Sequence, residues 1–99
     1  MPNFNQPLVS IITVVFNNDE YIRDAIESVL SQDYSRIEHI VIDGCSTDGT
    51  IDIIKEYRDK ISVFMSEPDD GIFDALNKGI IRSHGEIIGI LHSDDLFCD

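Results

Sequence analysis

The sequence predicts an α/β domain, an open and mainly parallel sheet of about four strands with helices on both faces. Three observations carry this. Four short runs are nearly continuous in apolar, largely β-branched residues, the pattern of strands buried on both faces of a parallel sheet. Between them lie three longer stretches in which apolar residues recur at helical spacing. Each short run also stops at polar or acidic residues, so these groups converge on one rim. In open α/β sheets a ligand sits in the crevice outside the carboxyl ends of the strands.

Residues 1–7 read as a loose tail, and residues 8–16 as the first strand. Asn17, Asn18 and Asp19 turn the chain, with Asn18 or Asp19 suited to N-cap a helix from Glu20 to about Gln32. Tyr21, Ile22, Ala25, Ile26, Val29 and Leu30 form its apolar stripe. A turn over 33–36 leads to a second strand, Ile37–Asp43, again ending in a carboxylate. Ser46 or Thr47 is suited to cap a helix over about 48–58 that turns Ile51, Ile54 and Tyr57 inward. A shorter third strand spans 61–66, and Pro68 and Gly71 break regular structure after it. A third helix over 72–83 places Ile72, Phe73, Leu76 and Ile80 on one face, with Gly85 as a C-cap signal. The last strand, 86–91, runs through His92 and Ser93 into the adjacent carboxylates Asp94 and Asp95. The order βαβαβαβ implies right-handed crossovers and a mononucleotide-binding type of half-domain.

Ninety-nine residues make one small domain at most, and 42% hydrophobic content is ample for a globular core. The net charge of -12 argues against nucleic acid or an anionic membrane surface as a direct partner. An anionic ligand such as a nucleotide then calls for a cation, which a divalent metal held by carboxylates supplies. Neither a P-loop nor a G-x-G-x-x-G fingerprint is present. Cys45 and Cys98 suggest no disulfide framework, the start lacks a basic leader, and no apolar run reaches membrane-spanning length. The expected setting is cytoplasmic, with peripheral membrane association through other segments left open.

Five segments together resemble the family 2 glycosyltransferases: VSIITVVFN at 9–17, IESVLSQ at 26–32, VIDGCSTDGT at 41–50, GIFDALNKGI at 71–80, and GEIIG at 85–89 continuing to Ser93, Asp94 and Asp95. The resemblance implies the GT-A fold, of which residues 1–99 would be the Rossmann-like, nucleotide-diphosphate-sugar-binding portion, truncated at its C-terminus. It implies transfer of a sugar from a nucleotide diphosphate donor, foremost a UDP-sugar, to an acceptor hydroxyl with inversion. The acceptor class would be a polysaccharide or a lipid-linked glycan. Ser93-Asp94-Asp95 matches the family's DxD-type motif, so Asp95 would bind Mn2+ or Mg2+ and Asp94 the ribose or the metal's water shell. Val14, Phe16, Asn17 and Asp43 match positions around the base and ribose, and Asp74, Asn77 and Lys78 match a helix facing the donor. The family's second aspartate after strand two is Gly44 here, which leaves the base open. No residue matches the catalytic base, which in the family lies beyond this motif, so the chain alone is expected to be inactive.

Other readings compete residue by residue. Asp43 beside Gly44 is also good Asx-turn chemistry, and Asn17 suits a turn. Asp94 and Asp95 could merely end a strand and cap a helix, and Asp69 and Asp70 could lie in a solvated loop. At the level of function, a metal-dependent phosphohydrolase or receiver-like domain also clusters aspartates at strand ends. A receiver needs an acidic pair after its first strand, which Phe16, Asn17 and Asn18 do not supply. A non-catalytic nucleotide-binding or interaction module is the third class. Finally, a last strand without a neighbour would expose an apolar edge, which predicts a homo-oligomer through that region.

Overall fold

The computed structural model describes residues 7–68 and 70–92, with the side chains of Ile72 and His92 left out. Eight elements follow in order: β1 (Val9–Val15), α1 (Ile22–Leu30), β2 (Ile37–Asp43), α2 (Thr50–Glu56), a short 3-10 turn (Arg58–Lys60), β3 (Val63–Ser66), α3 (Ile72–Arg82) and β4 (Ile87–His92). The strands form one fully parallel sheet in the order β3-β2-β1-β4. The α/β architecture expected from the sequence is therefore present.

Period-two alternation along the strands divides the core between two faces. Ile11 and Val15 of β1 pack with Ala25, Val29, Ile22 and Ile26 of α1 and with Ile54 of α2. Ile12 and Val14, one residue out of phase, pack with Ile40 and Ile42 of β2 and Ala75 of α3. Thus α1 and α2 cover one face and α3 the other.

Several local expectations are corrected. Tyr21 and Leu30, read as part of the α1 stripe, are exposed. Neither Ser46 nor Thr47 caps α2; Asp48 Oδ1 accepts from the Thr50 amide at 2.9 Å instead. In α1 the Asn18 carbonyl, rather than a side chain, receives the amides of Tyr21 and Ile22. β3 begins at Val63, because Ile61 follows the 3-10 turn and dips into the core beside Val41 and Ile54. On α3, Phe73 is 83% and Ile80 43% exposed, and the line facing the sheet is buried Ala75 and Gly79 with half-buried Leu76. Small residues let this helix lie close to the sheet: a Cβ on Gly79 would stand 2.5 Å from Ile12 Cγ2.

Gly85 is not a helix cap. α3 ends at Ser83, extended at φ -80 and ψ 148. Gly85 is small because its backbone presses on β1, where a Cβ would meet Ser10 Oγ at 2.5 Å and Leu8 O at 2.7 Å. Here Ser10 Oγ donates to Glu38 Oε2 at 2.7 Å and accepts from the Gly85 amide at 2.8 Å. The His84 amide and ring reach the same Glu38 carboxylate. Burial works against the Glu38 charge, but these hydrogen bonds outweigh it and hold the carboxyl below its usual range.

β4 is not buried on both faces. Among the described residues it pairs with β1 alone and lies at the edge of the sheet, with Ile87, Ile88 and Ile90 at 52%, 41% and 54% exposure while Leu91 is buried.

Under α1 and α2, His39 is 2% exposed; its Nε2 meets Thr13 Oγ1 at 2.8 Å and its Nδ1 has no hydrogen-bond partner among the described residues. Burial pushes this imidazole down to about 4. An unfolded histidine takes up its proton near pH 6.5, so His39 opposes unfolding fully above that value, and the contribution is lost as the pH falls toward 4. Between pH 7 and pH 4.5 the wild type should lose about 2–3 kcal/mol more stability than His39→Gln, read by urea denaturation at both pH values. Parallel losses in the two proteins would contradict this. Gly79→Ala should destabilise by about 1–2 kcal/mol in the same assay, because overpacking against Ile12 outweighs the roughly 1 kcal/mol gain in helix propensity.

Candidate functional site

The strand order places β2 on one side of β1 and β4 on the other, reached by α1 and by α3 on opposite faces. This is a topological switch point, and the crevice outside the carboxyl ends of β1 and β4 is where such sheets bind ligands. Phe16 and Asn17 leave β1 at that point, with Phe16 61% exposed. Ser93, Asp94 and Asp95 follow His92 in sequence and lie outside the described residues, as does Asp69. The metal and ribose assignments to Asp95 and Asp94 rest there.

The rest of the rim is built around Asp43. Its side chain is 0% exposed and both oxygens are occupied. Oδ1 accepts from Ser46 Oγ at 2.5 Å; Oδ2 accepts from the Ser46 amide and from Ser66 Oγ, each at 2.8 Å. One carboxylate thus ties the β2–α2 loop to the end of β3. Ser46 passes the connection on, because its Oγ accepts from the Asn17 amide at 2.8 Å. Asn17 answers with its Oδ1, which accepts from the Thr47 amide at 2.7 Å. It does so in the left-handed region, at φ 46, where asparagine is among the few residues tolerated. Val14 lies one layer below, 4% exposed among Ile12, Ile40, Ile42 and Ala75, so its side chain supports the rim without lining it.

Further stitches join the same two loops. The Asn18 amide donates to Thr50 Oγ1, the Asp19 amide to Asp48 Oδ2, and the Gly49 amide to Asp19 Oδ2. The Thr50 hydroxyl, helped by the Thr50 and Asp19 amides, holds the Asp48 carboxyl below its ordinary value. Across the rim Lys78 Nζ reaches Glu67 at 3.1 Å, Asp74 at 3.3 Å and the Pro68 carbonyl at 2.8 Å. The Asp70 amide and Lys78 together lower the Asp74 carboxyl. Asp74 and Lys78, read from the resemblance as part of a helix facing the donor, are neighbours in one ionic cluster with Glu67. Ser46, read as a helix cap, and Ser66, not singled out, are the further rim residues. The spacing of Asp43 and Ser46, three apart at a strand end, is the signal that could have found the first.

Among the described residues no group of three or more His, Cys, Asp or Glu side chains is arranged to hold a metal. The apolar cavity lined by Val9, Ile11, Gln32, Tyr34 and Ile37 opens at the opposite, amino-terminal end of the strands. Chemically, the rim offers an exposed aromatic ring, an amide side chain and a surplus of carboxylates around a rigid loop pair.

The chain is similar to known proteins along nearly its whole length. A Bacillus subtilis (strain 168) relative, whose name assigns it to teichuronic acid biosynthesis as the glycosyltransferase TuaG, is 42% identical over 93 residues, covering 91% of this chain and 37% of its own. The mannosyltransferase PcManGT of Pyrobaculum calidifontis, solved in complex with GDP-Man and Mn2+, superposes with a TM-score of 0.88 at 26% identity, covering 97% of this chain and 30% of its own. Residues 1–349 of Staphylococcus aureus TarS, solved in complex with UDP-GlcNAc, superpose with a TM-score of 0.83 at 29% identity, covering 90% of this chain and 27% of that one. The chain thus spans about a third of the length of these three proteins. The family model for glycosyl transferase family 2 matches residues 10–99, from β1 through the carboxylates beyond β4. With the βαβαβαβ order and parallel sheet of its solved neighbours in place, the chain belongs to glycosyl transferase family 2.

Proposed function

We propose that residues 1–99 are the donor-binding portion of a glycosyltransferase, which transfers a sugar from a nucleotide diphosphate to an acceptor hydroxyl with inversion. The observation that carries the reading is the hydrogen-bonded rim at the carboxyl ends of β1, β2 and β3, beside the β1/β4 switch point of a sheet similar to two proteins solved with nucleotide sugars. Phe16 and Asn17 flank the base and ribose, Val14 backs them from the core, and Asp43 acts on the same pocket through the loops it ties. Asp94 and Asp95 supply the carboxylates for ribose and metal. Mn2+ or Mg2+, when bound, would offset the diphosphate charges and stabilise the nucleoside diphosphate as it leaves. One solved neighbour carries UDP-GlcNAc and the other GDP-Man with Mn2+. We take UDP as the nucleotide, a polysaccharide or lipid-linked glycan as the acceptor class, and the cytoplasm as the setting, in which Cys45 stays a free thiol.

Under this reading UDP binds in calorimetry only when Mn2+ or Mg2+ is present, and Asp95→Asn abolishes the signal. Metal-independent binding, or an unchanged affinity in the variant, overturns the reading. The edge strand adds an association surface: Ile87, Ile88 and Ile90 stand exposed on a strand whose outer backbone groups have no sheet partner among the described residues. Two copies pairing through β4 should elute as a dimer at high protein concentration, and Ile90→Lys should return the monomer. A monomer at every concentration would refute the pairing.

A further inference from the structure

We infer that Ser46 is a positioning residue for the nucleotide pocket, holding Asn17 in the strained backbone conformation that presents the β1 end to the ligand. The inference rests on the proposed nucleotide reading for its functional half and on geometry alone for its structural half. Ser46 is 8% exposed, so its hydroxyl is not a surface group available to a ligand. It sits between two partners of opposite kind, donating to Asp43 Oδ1 at 2.5 Å and accepting from the Asn17 amide at 2.8 Å. A donor to the carboxylate fixes where the hydroxyl proton points, which leaves the oxygen's lone pairs facing Asn17. The Thr47 amide, next to Ser46 in the chain, closes the loop onto Asn17 Oδ1 at 2.7 Å.

Asn17 pays a conformational cost at φ 46 and keeps that geometry because both its amide and its side chain are held. The other rim serine, Ser66, is a step further from the ligand. It holds Asp43 Oδ2 and so fixes the carboxylate that orients Ser46. The path is Ser66 to Asp43 to Ser46 to Asn17, crossing from β3 through β2 to the end of β1. A helix-capping serine, which the sequence suggested, would act on α2 alone. This one acts on β1.

Two readouts test it. In the nucleotide-free chain, Ser46→Ala should shift the Asn17 and Thr47 amide resonances in a 15N-1H spectrum, while Ser46→Thr, which keeps the hydroxyl, leaves them near their wild-type positions. In calorimetry with UDP and Mn2+, Ser46→Ala should weaken binding about tenfold, the loss of roughly one hydrogen bond's worth of preorganisation, with Ser46→Thr close to wild type. Ser66→Ala, at an exposed position, should move the same resonances by less, and decides the matter if Ser46→Ala does not fold. Unmoved Asn17 and Thr47 resonances, or wild-type UDP affinity in Ser46→Ala, overturn the inference. If the wild type itself binds no UDP with Mn2+, the nucleotide reading fails, and the resonance shifts still decide whether Ser46 holds Asn17.

Discussion

The carboxylate of Asp43 is the constraint on which the rim depends. Burying a carboxylate costs several kcal/mol unless its oxygens are hydrogen-bonded, and here three donors from two segments meet that requirement. Satisfying it fixes the loops as a side effect. The β2–α2 loop must curl back so that Ser46 reaches Asp43, and β3 must end where Ser66 reaches it. The β1–α1 loop is then bound to the β2–α2 loop through Asn17, Asn18 and Asp19. A pocket edge made of loops therefore inherits the rigidity of the sheet below it. That matters for ligand binding, because loops that are already ordered lose little entropy when a ligand arrives.

The two faces of the sheet carry different kinds of polar burial. Toward α1 and α2, His39 is enclosed with one ring nitrogen unpartnered among the described residues, which ties that half of the core to neutral pH. Toward the amino-terminal ends of the strands, Ser10, Glu38, His84 and Gly85 form a clasp joining the α3–β4 turn to β1 and β2. The clasp sets where β4 enters the sheet, and so sets its register against β1, from Val9 opposite Ile87 to Val14 opposite His92. The two ends of the molecule are thus linked by a single strand register.

Much of this was legible in the residues themselves. Alternating strands and helices, their order and the switch-point rim follow from β-branched runs and helical spacing, and β2 was read to its last residue. The α3 face was misread because large apolar side chains draw attention, whereas contact with the sheet is made by Ala75 and Gly79, whose smallness is the point. Gly85 signalled a cap but answers a close approach to Ser10, a tertiary fact with no local signature. β4 looked doubly buried because apolarity reports a strand's demand for cover, not whether this chain provides it. At the site, Asp43, Asn17 and Phe16 were singled out as candidates and Ser46 as a helix cap, whereas Ser66 was not singled out, since its bond to Asp43 spans 23 residues.

The way the rim amides are used also bears on how an anion could bind. Phosphate sites in α/β folds commonly rest on backbone N–H groups left open at a glycine-rich turn or helix start. Here the amides of Asn17, Asn18, Asp19, Ser46, Thr47, Gly49 and Thr50 all donate to side chains within the two loops, and that of Gly44 donates to Val15 O. Lys78, the cation nearest this rim in the β3–α3 segment, is already engaged by two carboxylates. A diphosphate approaching such a rim meets negative charge and few open donors. Under the proposed reading, a divalent cation accompanying the ligand would supply the missing positive charge. The same stitching that ties the two loops together leaves few backbone donors there, which favours the proposed metal-bridged reading over a backbone phosphate cradle.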